Sequence, residues 1–487
     1  MKHALSLASL ILAAILLVSP AVSQDKVRLF SIDETPSAVS DKSSIASVRE
    51  AEISFAQSAD LTSRATSLEI TLFDGKSYTV TPRGVEKRSI DDYTWRGLIE
   101  QKGFRGDVIL TFNKGFVAGL IYSPAGVFEI VPRGTRHILV EIDQSLFPEC
   151  GGVLAAEAEE QKPNALFSEI DSGDRLDVLV VYTTATKNFL GGEAQAQTLA
   201  QQAIDSTNTT YLNSRVRQRL RLVHSQEYEF TETGNSSNDL STLRSNATVQ
   251  GWRNERSADL VAMIGEVSDV CGIAYLIGGA TQGGSAYSIT ARSCAVGNLT
   301  FAHELGHNMG SAHNPENAGN APAFPYSYGH WIDGQFRTVM SYTNPCISGC
   351  VRRPYWSSPA VFYTGIATGL EGTRDNVRSL NITGDNVANY RFSGSSIRLT
   401  NYRNPEMLPR GIRRSLTWTS SNVGGNVRIE LSRDHGSTWE TVVQSTPNDG
   451  SEPITIWGRA TKNARLRIVS LESPAVSDSS LQNISLR

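Results

Sequence analysis

The stretch Thr300-Phe301-Ala302-His303-Glu304-Leu305-Gly306-His307-Asn308-Met309-Gly310-Ser311-Ala312-His313 spells H-E-x-x-H-x-x-G-x-x-H. On a helix, positions four apart share one face a turn from each other, so His303 and His307 aim ring nitrogens at one point. Glu304 reaches the edge of that point, close enough to touch a water on a metal rather than the metal itself. Gly310 permits the left-handed conformation that ends a helix, and the reversing chain returns His313 as a third ligand. Three neutral imidazoles leave the fourth position of a zinc ion open to water, the arrangement of a catalytic site rather than a closed structural one. With the His and Gly frequencies of this chain, five such fixed positions arise by chance in roughly one chain in 10⁵, far more rarely than H-E-x-x-H alone.

Outward from this helix, the sequence alternates strands and helices. Leu176-Asp177-Val178-Leu179-Val180-Val181-Tyr182 is nearly all apolar, as a strand buried on both faces requires. A helix over 193–212 follows, with Leu199, Ala200, Ala203, Ile204, Thr207, Tyr211 and Leu212 at three-and-four spacing. Strands over 220–223 and 259–264, with a helix around 239–249 between them, complete a strand–helix alternation. That alternation predicts an α/β domain with a mixed, mostly parallel sheet over 175–391. Before it, alternating runs such as 67–72, 107–112 and 127–131, punctuated by Asp74-Gly75 and Pro124-Ala125-Gly126, predict a small antiparallel β domain. The stretch 154–164 reads as an exposed connector, where proteolytic nicking concentrates. After the small polar linker Ser393-Gly394-Ser395-Ser396, regular short strands over 397–487 predict an immunoglobulin- or fibronectin-like β-sandwich.

The signature of 303–313, with Thr338-Val339-Met340-Ser341-Tyr342 some way beyond it, resembles the metzincin (zincin) metalloproteases. Cys271-Gly272-Ile273-Ala274-Tyr275 and Ala291-Arg292-Ser293-Cys294 narrow the resemblance to bacterial reprolysin-like enzymes of the peptidyl-Asp metallopeptidase type. The resemblance covers about 175–391. It implies one catalytic Zn²⁺ on His303, His307 and His313, with Met340 in a turn beneath them. It also implies Glu304 as general base and Tyr342 as a stabiliser of the oxyanion. The strand 285–290 is then the edge on which an extended substrate pairs, and Arg352 and Arg353 wall a pocket that favours an acidic residue. Asn314 departs from the pattern, since adamalysin relatives carry Asp after the third His in support of local structure. In latent relatives a prodomain thiol fills the open zinc position, and Cys150, in Phe147-Pro148-Glu149-Cys150-Gly151-Gly152, is the candidate here.

Composition and compartment agree with an exported enzyme. The 487 residues suffice for several domains, and a net charge of −4 is too near neutral for an electrostatic nucleic-acid binder. Lys2 and His3, the apolar run 4–18 and the small-x-small end Ala21-Val22-Ser23 read as a signal peptide over 1–23. Secretion to the extracellular space or periplasm follows, with no membrane insertion expected. Residues 24–170 are then a β-rich propeptide that inhibits its own enzyme. Cys271, Cys294, Cys346 and Cys350 allow three disulfide pairings, of which Cys271–Cys294 with Cys346–Cys350 is the most local. Nothing in the sequence indicates calcium. The substrates expected are proteins or peptides. Two other readings stay open: a secreted adhesion or binding protein whose zinc domain is structural, and a zinc hydrolase of a non-peptide amide.

Overall fold

Ten strands between Val27 and Ile142 join into one sheet; Val27–Arg28 runs parallel to Leu68–Thr71, and the remaining pairs are antiparallel. The computed structural model describes residues 27–33, 42–56, 61, 67–157, 171–403, 405–474 and 476–487. The expected signal peptide and most of the expected nicking region lie outside the described residues. The sheet is larger than the small domain expected, and its alternation sends residues to two different cores. Trp95, Val108, Leu110 and Ile121 close one face among themselves. Ile109, Leu120, Tyr122 and Val140, on the opposite face, belong to the same core as the helices that follow.

The second unit begins with a short strand in the presumed connector, β1 (Val153–Ala155), followed by β2 (Arg175–Thr183), α1 (Thr184–Leu190) and α2 (Glu193–Ser214). Next come β3 (Arg219–Tyr228), α3 (Ser236–Ser245), α4 (Ala247–Glu255), β4 (Leu260–Gly265), β5 (Gly272–Leu276), β6 (Tyr287–Ala291) and α5 (Thr300–Asn308). The sheet order is β3-β2-β4-β6-β5-β1. All neighbours are parallel except β5 with β6. The mostly parallel sheet is therefore present, but the strand expected to be the edge, β6, is interior. Its neighbour β5 is the edge of this unit, and β1 lies along it with Val153 opposite Ala274. The single helix read around 239–249 is two helices, because Asn246 ends α3 and its side chain accepts from Thr248 and Val249 N–H to start α4.

Helix α2 is buried on nearly all sides, with 17 of its 22 residues out of solvent. Its apolar stripe of Leu199, Ala200, Ala203 and Ile204 joins the core. On another face Gln201 donates to Asp205 one turn on, and Asp205 and Thr209 meet the N-terminal sheet. Asp205 accepts from Thr94 and Thr111 hydroxyls, both at 2.6 Å, and from Arg88 at 3.1 Å, while Arg96 donates to Thr209 at 3.0 Å. The N-terminal sheet is thus held to α2 by a layer of polar bonds as well as by apolar packing.

Glu129 of that sheet is buried beside Gly297 and Arg292. Burial raises its carboxyl pKa to about 8, against the pull of Arg292 and the Gly297 N–H. A carboxyl that is neutral when folded and titrates near 4.5 when unfolded makes folding take up a proton. Stability should therefore fall by up to about 1.4 kcal/mol per pH unit across roughly pH 4.5 to 8, then level off. Glu129→Gln should flatten that slope in thermal melts taken across the range; an unchanged slope would show that Glu129 does not titrate in this way.

Beyond the linker, Ser396–Leu399, Arg413–Ser421 and Ser451–Thr455 form one sheet, and strands including Asn426–Ser432, Glu440–Pro447 and Thr461–Ser470 form another. Ile397, Leu416, Trp418, Ile429, Leu466 and Ile468 share one core between them. Among the described residues, no helix is long and apolar enough to cross a membrane.

Candidate metal centre

Helix α5 places His303, Glu304 and His307 in the interior, all fully buried. It ends as the sequence predicts. Gly310 takes φ +84°, and its N–H and that of Ser311 bond back to the carbonyls of His307 and Gly306. A Cβ at Gly310 would stand 2.5 Å from that of Ala323, so this turn has no room for a larger residue even apart from its φ. The chain then delivers His313 to the same point.

Each imidazole turns Nδ1 to a backbone carbonyl: His303 to Val339 at 2.9 Å, His307 to Ser311 at 2.8 Å, and His313 to Asn317 at 3.4 Å. A carbonyl only accepts, so Nδ1 carries the proton in each ring and Nε2 keeps its lone pair. The Nε2 of His307 lies 3.1 Å from that of His303 and 3.0 Å from that of His313. Burial pushes all three imidazole pKa values down, that of His307 to about 4, so the rings stay neutral. Three unprotonated nitrogens facing one another are satisfied by a cation between them and by no hydrogen bond. The donor set therefore fits a divalent metal with imidazole affinity.

Cys150 completes this group from the N-terminal segment. Its Sγ and the three histidine nitrogens lie within 4.8 Å of one another. Sγ is 3.8 Å from His307 Nε2 and 3.7 Å from Glu304 Oε2. It is the free cysteine, since Cys271 is joined to Cys294 and Cys346 to Cys350, the most local of the pairings open from sequence. The segment around it is fixed to the cleft. Gly151 donates to the Gly272 carbonyl at 2.8 Å, Cys271 to the Glu149 carbonyl at 3.2 Å, and β1 continues along β5.

Glu304 Oε1 has no hydrogen-bond partner, and burial pushes the carboxyl pKa well up. A Cβ on Gly272 would stand 2.5 Å from that oxygen, so glycine at the edge strand makes the space this carboxylate occupies. Met340 is buried beneath the helix, and a Cβ on Gly306 would meet its sulfur at 2.6 Å. The Tyr342 ring sits 4.2 Å from that of His313, and its hydroxyl donates to the Cys150 carbonyl at 2.8 Å. Asn314 has a local structural role: its Oδ1 accepts from the Tyr342 N–H at 3.0 Å, tying the third histidine's loop to the turn.

Two expectations change. The edge strand of this unit is β5 rather than 285–290, because β6 has neighbours on both sides. Arg353 does not face the cleft; its guanidinium lies over the Phe104, Tyr122 and Tyr363 rings at 5.3 to 5.5 Å. Arg352 is buried behind the Met340 turn, together with Arg337, which no spacing in the sequence singled out. Glu149, next to Cys150, carries no motif of its own, yet its Oε1 accepts from the Thr343 N–H at 2.8 Å.

Residues 172–355 match the metallo-peptidase family M12. A peptidyl-Asp metalloendopeptidase of Stenotrophomonas maltophilia (strain R551-3) is 31% identical over 301 residues, covering 58% of this chain and 70% of the relative. One of Xanthomonas campestris pv. campestris is 30% identical over 359 residues, covering 66% and 82%. One of Pseudomonas aeruginosa is 30% identical over 246 residues, covering 44% and 40%. Matches of this extent, the family match including the three converging imidazoles, place the chain in metallo-peptidase family M12 as a zinc metalloendopeptidase.

Proposed function

We propose that the protein is a secreted zinc endopeptidase made as a zymogen, with a preference for acidic residues near the scissile bond. In this reading residues 1–23 are the signal peptide and 24–170 the propeptide. Residues 175–391 are the catalytic domain of metzincin layout, and 397–487 are an accessory β-sandwich. The convergence of three Nε2 lone pairs beside a partnerless, buried carboxylate oxygen carries the reading. A metal site serving structure alone has no use for such a carboxylate, which disfavours a binding module. The names of the relatives favour a peptide bond over another amide and support the acidic preference.

His303, His307 and His313 hold the ion, and Met340 packs beneath them. Bound there, zinc would supply Lewis acidity to the scissile carbonyl and lower the pKa of a water toward neutrality. Glu304 takes the proton of the attacking water and hands it to the leaving amine nitrogen. Tyr342 donates its hydroxyl to the oxygen of the tetrahedral intermediate, as it already donates to a peptide carbonyl in the cleft, that of Cys150.

Latency follows from the segment 149–155. Cys150 would fill the open ligand position of a bound ion, and β1 covers the edge strand, which together would keep out water and substrate. The polar contacts of Asp205 and Thr209 suit a cover that leaves, because water can replace each of them.

The test is hydrolysis of casein by the processed protein with and without a chelator. Activity should disappear on chelation and return with stoichiometric zinc. Full activity in the metal-free protein would end the proposal.

A further inference from the structure

Arg337 and Arg352 lie behind the Met340 turn at 1% and 2% exposure. Both donate to the Ser341 carbonyl, at 2.8 and 3.1 Å. Arg352 also donates to the Asn298 carbonyl at 2.7 Å, and Arg337 to Asn298 Oδ1 at 3.3 Å. All of these acceptors are neutral, and the Nε of each guanidinium has no partner. Two like charges side by side in the interior are costly unless an anion is brought to them.

Glu149 is the acidic group of the inhibitory segment that the fold brings to this turn, two residues past the Ser341 carbonyl that both guanidiniums hold. Its backbone carbonyl accepts from the Cys271 N–H at the start of the edge strand, and its carboxylate accepts from the Thr343 N–H just past the turn. Its neighbour Cys150 points at the metal ligands, so the Glu149 side chain enters the wall next to the reacting centre.

We infer that Arg337, Arg352 and the Thr343 N–H form the subsite that recognises an acidic substrate side chain, and that Glu149 fills it in the unprocessed chain as a substrate mimic. The inference rests on the acidic preference proposed above and supplies its residues. Arginine suits the task, since a fixed fork of donors discriminates a carboxylate from its amide, and charge attraction is strong where water is excluded. The inhibitory segment then has two separate anchors, the thiol on the ion and the carboxylate in the subsite.

The test uses the full-length chain carrying Cys150→Ser, in which the thiol anchor is gone, and two peptides identical except for Asp or Asn beside the scissile bond. The unlocked chain should prefer the Asp peptide. Adding Glu149→Gln should raise turnover about tenfold by loosening the remaining anchor, and adding Arg352→Met should remove both that gain and the Asp preference. In the chain that keeps Cys150, stripped of metal, Glu149→Gln should speed alkylation of the thiol by a similar factor. Equal turnover of the two peptides overturns the acidic preference and the subsite with it. A clear Asp preference with no effect of Glu149→Gln on turnover or alkylation overturns the mimicry alone. Should Arg352→Met not fold, the Glu149→Gln comparisons decide by themselves, since that residue is half-buried on the inhibitory segment.

Discussion

Glu304→Gln, processed and fully loaded with zinc, should turn over peptides on the order of 10⁴-fold more slowly than the parent. The substitution keeps the shape of the side chain and removes its ability to hold a proton. Oε1 has no partner to lose, so folding and metal content should be unchanged. Metal content by elemental analysis, read beside kcat, separates this from loss of the ion. Near-parental turnover would remove Glu304 from the mechanism. A protein that had lost its zinc would instead show Glu304 to be needed for the site to form.

Cys150→Ser should give an unprocessed chain at least ~10²-fold more active than the unprocessed parent, a change worth roughly 2.7 kcal/mol of inhibitory contact. A serine hydroxyl is a far weaker zinc ligand than a thiolate. The contacts of β1 with the edge strand and of Tyr342 with the Cys150 carbonyl remain, so the chain should reach only part of its processed activity. Activity of the two unprocessed chains on a short peptide measures this directly. Equal latency would show that the strand contacts alone close the cleft.

What could be read from the sequence is what is local in the chain. His303, Glu304, His307, Gly310 and His313 declare their geometry because one helix and its end fix it. The β2–α2–β3 alternation is legible because a parallel sheet imposes a long apolar run and an amphipathic helix. The edge strand was misplaced because strand order depends on pairing across the sheet, and β5 and β6 look equally apolar in sequence. Asp205 and Thr209 give no sign of burial, since their partners Thr94, Thr111 and Arg96 lie some hundred residues away. Arg337 and Arg352 are likewise ordinary basic residues until the fold seals them. Cys150 was singled out by the count of cysteines, yet only the folded chain brings it beside the histidines.

If the N-terminal sheet is shed as proposed, parting it from the catalytic unit sets the fate of each half. The catalytic unit keeps its own sheet and helices and uncovers Asp205 and Thr209, which water wets readily, together with apolar residues such as Leu190 and Leu199. The sheet is left with Ile109, Leu120 and Val140 bare, a greasy flank that invites clumping or digestion. Shedding the sheet should therefore work as a ratchet: the discarded half does not survive to return, and the enzyme stays on.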